Sequence, residues 1–128
     1  PEEIIQFIPM HHGTSLIHHV YLKAQEEFAA EHVEEAKYRY PGPKPQSRET
    51  AIVMLADACE AASRTLDDPA AGRIAEMVSR IINNKFIDGQ LEEANVTLKD
   101  LRAIADAFTE TLATTLRHRI RYPEAALA

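Results

Sequence analysis

Residues 49–66, ETAIVMLADACEAASRTL, give the strongest indication of fold class because apolar side chains occupy every side of the helix they would form. The fully apolar run extends from Ala51 to Ala56. A helix that is apolar all round is usually buried in the middle of a bundle. Ser47 can cap this helix, with Glu49 in its first turn. The segment therefore predicts the most buried helix of an all-α domain.

Two further helices are predicted upstream of this segment. The first begins at Pro1, whose fixed φ suits a first turn, and ends near Pro9. The second is capped by Thr14 or Ser15 and runs to about His32. Its apolar residues recur at helical spacing and form one stripe: Ile17, Val20, Tyr21, Ala24 and Phe28.

Two more helices are predicted downstream, over residues 69–87 and 98–121. The first of these begins with Asp68 as its cap and Pro69 at its first position, and Gly89 suits its C-terminal cap. The second begins with a capping box of Thr97 and Asp100, and Pro123 follows its end. The sequence thus predicts a single all-α domain, residues 1–128, built as a bundle of about five helices without strands.

Composition narrows the function classes. The chain has 128 residues and a formal net charge of −6, so it is a poor candidate for binding a nucleic acid polymer through its phosphates. Its one cysteine, Cys59, excludes an intrachain disulfide and is expected to be a buried thiol. No apolar run is long enough to cross a bilayer. Because the sequence opens at Pro1 without an initiator Met, we expect it to be part of a longer protein.

Four of the six histidines lie between residues 11 and 19. His11 and His12 adjoin a glycine that breaks the helix, where both rings can turn toward one metal ion, and imidazole suits Fe, Mn, Ni, Co or Zn. Two surface histidines are an equally common explanation of such a pair. His18 and His19 lie away from the apolar stripe of their helix, which predicts a solvated position for both.

Asp57 directly follows the apolar run of the predicted central helix. A buried ionised carboxylate needs a partner, which could be a metal ion, an arginine or a helix cap. Arg64 lies two turns further along the helix, but Glu60 is its natural i, i+4 partner. Helix geometry alone leaves these alternatives open.

A basic and aromatic cluster lies at residues 37–48, KYRYPGPKPQSR. Its prolines predict an extended connector between helices. The cations could meet a phosphate and the tyrosines could stack on a base; these candidates are Tyr38, Tyr40, Lys44 and Arg48. The alternative is a proline-stiffened connector with a solvated basic face.

Four motifs together resemble one group of HD-superfamily hydrolases: IPMHHGTSLI at 8–17, YRYPGPKPQSRETAIVMLADACEAASRTL at 38–66, DGQLEEANVTLKDL at 88–101 and HRIRYP at 118–123. The group comprises bacterial membrane proteins with seven transmembrane helices and a C-terminal cytoplasmic HD domain. They are cyclic di-AMP phosphodiesterases that release linear pApA. The resemblance covers nearly the whole chain and implies the same helical fold and activity.

The resemblance also implies a site for two metal ions, usually Fe or Mn. His11 and His12 match the histidine pair on one metal, and Asp57 matches an aspartate on the other. His18 and His19 match no ligand position of the group. Thr14 and Ser15 open a helix beside the ligands, where free backbone N–H groups suit a phosphate oxygen, although helix capping also explains both residues.

One departure from the group is large, because this sequence contains no His-Asp dipeptide. The group's upstream ligands, including the aspartate that bridges both metals, have no counterpart here. The sequence is thus expected to be the C-terminal portion of an HD domain whose parent is anchored at the cytoplasmic face of the bacterial membrane. We expect this portion alone to be soluble and catalytically inactive. It should hold one weakly bound metal ion or none, and it should tend to self-associate. The alternatives are an HD hydrolase of another nucleotide, or a helical module that senses a nucleotide without cutting it.

Overall fold

A computed structural model describes residues 1–121, with side chains through His118. Its secondary structure is helical, apart from an isolated bridge between Leu16 and Arg39. The α-helices are α1 (Glu2–Ile5), α2 (Phe7–Met10), α3 (His18–Glu27), α4 (Arg48–Ser63), α5 (Ala71–Ile87) and α6 (Leu98–Arg121). Two 3₁₀ turns, Ala30–His32 and Glu35–Tyr38, follow α3. The predicted all-α class is confirmed, while the predicted stop at Pro123 lies outside the described residues.

None of the helices in the described range combines the length and apolar character that a membrane span requires.

The core lies between α4, α5 and α6. Its α4 side is formed by Ala51, Met54, Leu55 and Cys59, which meet Ile74 and other apolar residues of the two later helices. Burial raises the pKa of the Cys59 thiol to about 11, as expected for an inert core cysteine. The prediction that α4 is buried on every side is wrong, because Val53 on its opposite face is 39% exposed.

Local capping signals account for several helix ends. Ser47 caps α4 by accepting from the Thr50 backbone N–H, and the Thr50 hydroxyl accepts in return from the Ser47 N–H. Thr97 and Asp100 form the predicted capping box of α6, with both hydrogen bonds at 3.0 Å. Gly89 follows α5 with φ +78°, a left-handed conformation that favours glycine.

The helix predicted from Thr14 or Ser15 to about His32 is shorter at both ends. It begins at His18, with Ile17 in the cap position and no side-chain cap. Leu16 pairs with Arg39 in the isolated bridge, so the helix starts after it, and both hydroxyls make hydrogen bonds to side chains more than 65 residues away in sequence. The helix ends at Glu27, and the aromatic ring of the next residue, Phe28, is exposed rather than packed.

The predicted start of α5 is also wrong by two residues. The helix begins at Ala71, with Ala70 in the cap position. Asp68 instead accepts a hydrogen bond from the Ala70 backbone N–H at 3.1 Å, which makes a local turn before the helix. Pro69 therefore lies in this turn and not in the helix.

Candidate metal centre

The helix break that follows α2 places His11 and His12 against α4. Gly13 ends the turn with φ +54°. A β-carbon at this position would lie 2.6 Å from Gln90 Oε1 and 2.7 Å from Met54 Cε, closer than real contacts allow. Glycine therefore permits both the backbone conformation and the close approach to α4.

His11, His12 and Asp57 form one cluster. One potential ligand atom from each side chain lies within 4.8 Å of the other two. Both histidines are half-buried, and Asp57 is exposed on the opposite side of α4 from the core. The expectation that Asp57 lies in the most buried part of the chain is thus wrong. Asp57 lies on the face of α4 that meets the segment carrying His11 and His12.

Two contacts fix the orientation of the histidine rings. His11 Nδ1 lies 2.8 Å from the Phe7 carbonyl oxygen, which can only accept, so Nδ1 donates this hydrogen bond and Nε2 is the potential ligand atom. The His12 ring stacks on Tyr40 with centroids 4.2 Å apart and an interplanar angle of 7°. These contacts resemble the outer-sphere support that metal-binding histidines usually have.

The electrostatics favour neutral His12. Burial lowers the pKa of His12, and the adjacent His11 lowers it as well; Asp57 raises it, and Lys85 lowers it. The net direction is downward, so the imidazole loses its proton more readily than a free histidine. A neutral imidazole is the form that binds a metal ion.

A buried glutamine holds the loop that carries the histidines. Gln90 Oε1 accepts from the Thr14 backbone N–H at 2.9 Å, and its Nε2 donates to Thr14 Oγ1 at 2.9 Å. Arg39 donates to the Thr14 carbonyl at 2.8 Å and forms a two-point ion pair with Asp88. Sequence reasoning missed Gln90, because no local signal marks a hydrogen-bond partner 76 residues away.

The candidate substrate residues are placed unequally. Tyr40 lies on His12, whereas Tyr38 faces Tyr21 with ring centroids 5.8 Å apart. The Lys44 ammonium lies 2.7 Å from a Glu92 carboxylate oxygen, and Arg48 Nε lies 3.6 Å from Asp100 Oδ2. The two cations therefore already face carboxylates, while Tyr40 is brought to the histidines.

The remaining candidates lie as follows. His18 and His19 are exposed, in agreement with the sequence analysis. Arg64, one alternative partner of Asp57, instead pairs with Glu60 at 2.7 Å.

Sequence reasoning also missed Lys85, in the last turn of α5. Its ammonium donates to Ser15 Oγ at 2.8 Å, and its side chain is half-buried beside a cavity of about 540 Å³. A cation in the last turn of a helix is ordinarily explained by the helix dipole, so the sequence gave no indication that Lys85 has a functional role.

We expect Gly13→Ala to lower the free energy of unfolding by more than 1 kcal/mol, because the added methyl group meets two side chains and the backbone favours glycine. Urea denaturation measures the change. Gly72→Ala is the matched control, since no atom lies within 4 Å of its added β-carbon and alanine favours the helix. Equal stability of the two variants would contradict this account of the turn.

The comparisons with known proteins point to one group. No protein-family model matches the chain. It is 44% identical over 125 residues to the cyclic-di-AMP phosphodiesterase PgpH of Bacillus subtilis (strain 168) and 40% identical over 124 residues to that of Listeria monocytogenes serotype 1/2a (strain 10403S). These matches cover 98% and 97% of this chain, but only 17% of each relative.

A solved structure agrees with the sequence matches. The crystal structure of the L. monocytogenes PgpH HD domain in complex with cyclic-di-AMP is similar to this chain with a TM-score of 0.84 and 40% identity. The match covers 90% of this chain and 53% of that domain. This chain is homologous to part of the HD domain of the PgpH cyclic-di-AMP phosphodiesterases and has the fold of that part.

Proposed function

We propose that this chain is the C-terminal part of the HD domain of a metal-dependent phosphodiesterase that hydrolyses cyclic di-AMP to pApA. The observation that carries the proposal is the convergence of His11, His12 and Asp57 within 4.8 Å. The same residues lie in a chain that is 40% identical to an HD domain solved with cyclic-di-AMP. The complete domain comprises this chain together with the remaining part of the HD domain in its own parent protein.

The donor set fits a divalent metal centre. Two imidazoles and a carboxylate suit iron or manganese, and we propose that the complete domain holds two such ions, with His11 and His12 on one and Asp57 on the other. Divalent ions in such a site neutralise phosphate charge and make a hydroxide available near neutral pH. The hydrogen bond from His11 Nδ1 to the Phe7 carbonyl leaves Nε2 as the atom that can bind a metal ion. The exposed Asp57 carboxylate is accessible for coordination.

The surroundings of the cluster support a phosphate-containing substrate. Thr14 and Ser15 lie two and three residues after His12, and the Ser15 hydroxyl accepts a hydrogen bond from the Lys85 ammonium at 2.8 Å. Tyr40 offers an aromatic face next to His12. We assign Lys44 and Arg48 a secondary role, since each already faces a carboxylate.

The proposed cellular setting follows from the resemblance to the seven-transmembrane group of HD hydrolases. We propose that the parent protein is anchored in the bacterial plasma membrane through a segment outside this chain and presents the domain to the cytoplasm. A net charge of −6 favours a small dinucleotide held at one site over a nucleic acid polymer.

Hydrolysis by the complete domain tests the proposal. The purified complete domain, supplied with Mn²⁺ or Fe²⁺, is incubated with cyclic di-AMP or, in parallel, cyclic di-GMP, and the products are separated by chromatography. Formation of pApA with preference for cyclic di-AMP supports the proposal. Binding of cyclic di-AMP without cleavage would instead indicate a sensing module, and faster cleavage of cyclic di-GMP would indicate a different HD hydrolase.

We expect Tyr38→Ala and Tyr40→Ala each to weaken binding of the linear dinucleotide pApA to the complete domain, because stacking on a base contributes about 1 to 3 kcal/mol. Calorimetric titration with pApA measures the loss. Tyr40→Phe retains the ring and serves as the control. Unchanged affinity in both alanine variants, with the fold retained, would identify the segment as a connector only.

A further inference from the structure

Lys85 is a half-buried cation beside the candidate metal centre. It lies in the last turn of α5, and its ammonium donates to the hydroxyl of Ser15, three residues after His12. Lys85 and Ser15 line a cavity of about 540 Å³, and the other charged residues of its lining, Arg39, Glu35 and Asp88, are paired with one another. Small-molecule sites in proteins usually enclose about 300 to 1,000 Å³, so the volume suits a nucleotide.

The charge of Lys85 lacks an ion-pair partner within residues 1–118. No carboxylate oxygen there lies within 4.0 Å of its nitrogen, and the nearby Asp88 is instead paired with Arg39 at 2.8 Å. An ammonium has three donors, and Ser15 accepts from one of them. A half-buried cation is costly unless an opposite charge compensates it, which favours an anion as its partner.

Lys85 lies close to the metal-ligand cluster. Its hydrogen-bond partner Ser15 is three residues after His12, and the lining of the cavity includes Ala58, the neighbour of Asp57 in α4. Burial lowers the pKa of Lys85, whereas Asp88 and Asp57 raise it. An anion bound to Lys85 would therefore lie next to the candidate metal site.

We propose that Lys85, oriented by Ser15, binds a non-bridging phosphate oxygen of the dinucleotide in the cavity beside the metal ligands. The inference rests on the proposed function and adds a substrate-binding residue to it. Ser15 is then a positioning residue: it holds the ammonium of Lys85 toward the cavity and leaves two N–H donors for the phosphate.

Binding of pApA to the manganese-loaded complete domain tests this role. We expect Lys85→Met to weaken calorimetric pApA affinity by about 10- to 100-fold, as for loss of a charged hydrogen bond, while metal content stays that of the wild type. Lys85→Arg should retain most of the affinity because it keeps the charge. Lys23→Met, at an exposed lysine of α3, is the matched control and should bind like the wild type.

Three outcomes would overturn the inference. Wild-type affinity in Lys85→Met, beside an active wild-type domain, would remove Lys85 from the substrate site and leave the proposed function standing. Equal losses of metal and affinity in Lys85→Met and Ser15→Ala would show that the pair only supports the histidine loop. A wild-type domain that neither cleaves cyclic di-AMP nor binds pApA would overturn the proposed function together with the inference.

Discussion

Replacing Asp57 with alanine in the complete domain is expected to lower kcat/KM for cyclic di-AMP by at least about 1,000-fold, which corresponds to about 4 kcal/mol of transition-state stabilisation. Asp57 is the carboxylate of the cluster that also contains His11 and His12. Losing a ligand weakens the hold on an ion that would otherwise stabilise charge on the phosphate. Steady-state kinetics with manganese at a saturating concentration measure the loss.

The position of Asp57 makes this variant informative. The carboxylate is exposed on α4, and alanine is the best helix former, so the substitution should leave the fold intact. Asp106→Ala is the matched control, because Asp106 is also an exposed helical aspartate, but on α6. An Asp57→Ala enzyme that keeps more than a tenth of wild-type kcat/KM would show that this carboxylate is not a ligand.

We expect residues 1–128 alone to hydrolyse cyclic di-AMP at less than about 1% of the rate of the complete domain. The described cluster offers one carboxylate and two imidazoles for a site that should hold two ions. Two ions held in place are what position a nucleophile opposite the leaving oxygen. Production of pApA by both proteins, at matched concentration and with added Mn²⁺ or Fe²⁺, measures the ratio.

A rate near that of the complete domain would contradict this expectation and would mean that His18, His19, His32 or another group completes the site.

The assay is run across a range of protein concentrations. Ile4, Ile5 and Ile8 expose apolar surface at α1 and α2, and we propose that this surface promotes self-association. Sedimentation at the same concentrations identifies the species that is assayed.

Features with local causes could be predicted from the sequence. The capping box of Thr97 and Asp100, the glycine after α5 and the helix that follows Ser47 each depend on residues within a few positions of one another. The prediction that His11 and His12 share a site with Asp57 of α4 came from the resemblance to a known group. Geometry alone left Asp57 open between a metal ion and other partners.

Features that depend on distant partners could not be predicted. Thr14 and Ser15 have the chemistry of helix caps, but Gln90 and Lys85 bind them across 76 and 70 residues of sequence. The exposure of Asp57 was missed for a related reason. The composition of a helix shows how much of it is apolar, whereas the neighbouring elements determine which face is covered.

The most direct test of the metal site is X-ray diffraction from crystals of the manganese-loaded complete domain, collected at the manganese absorption edge. We predict anomalous peaks for two ions in one pocket, one within bonding distance of imidazole nitrogens of His11 and His12 and one within bonding distance of the Asp57 carboxylate. Peaks at another position, with these three side chains free of metal, would contradict the account.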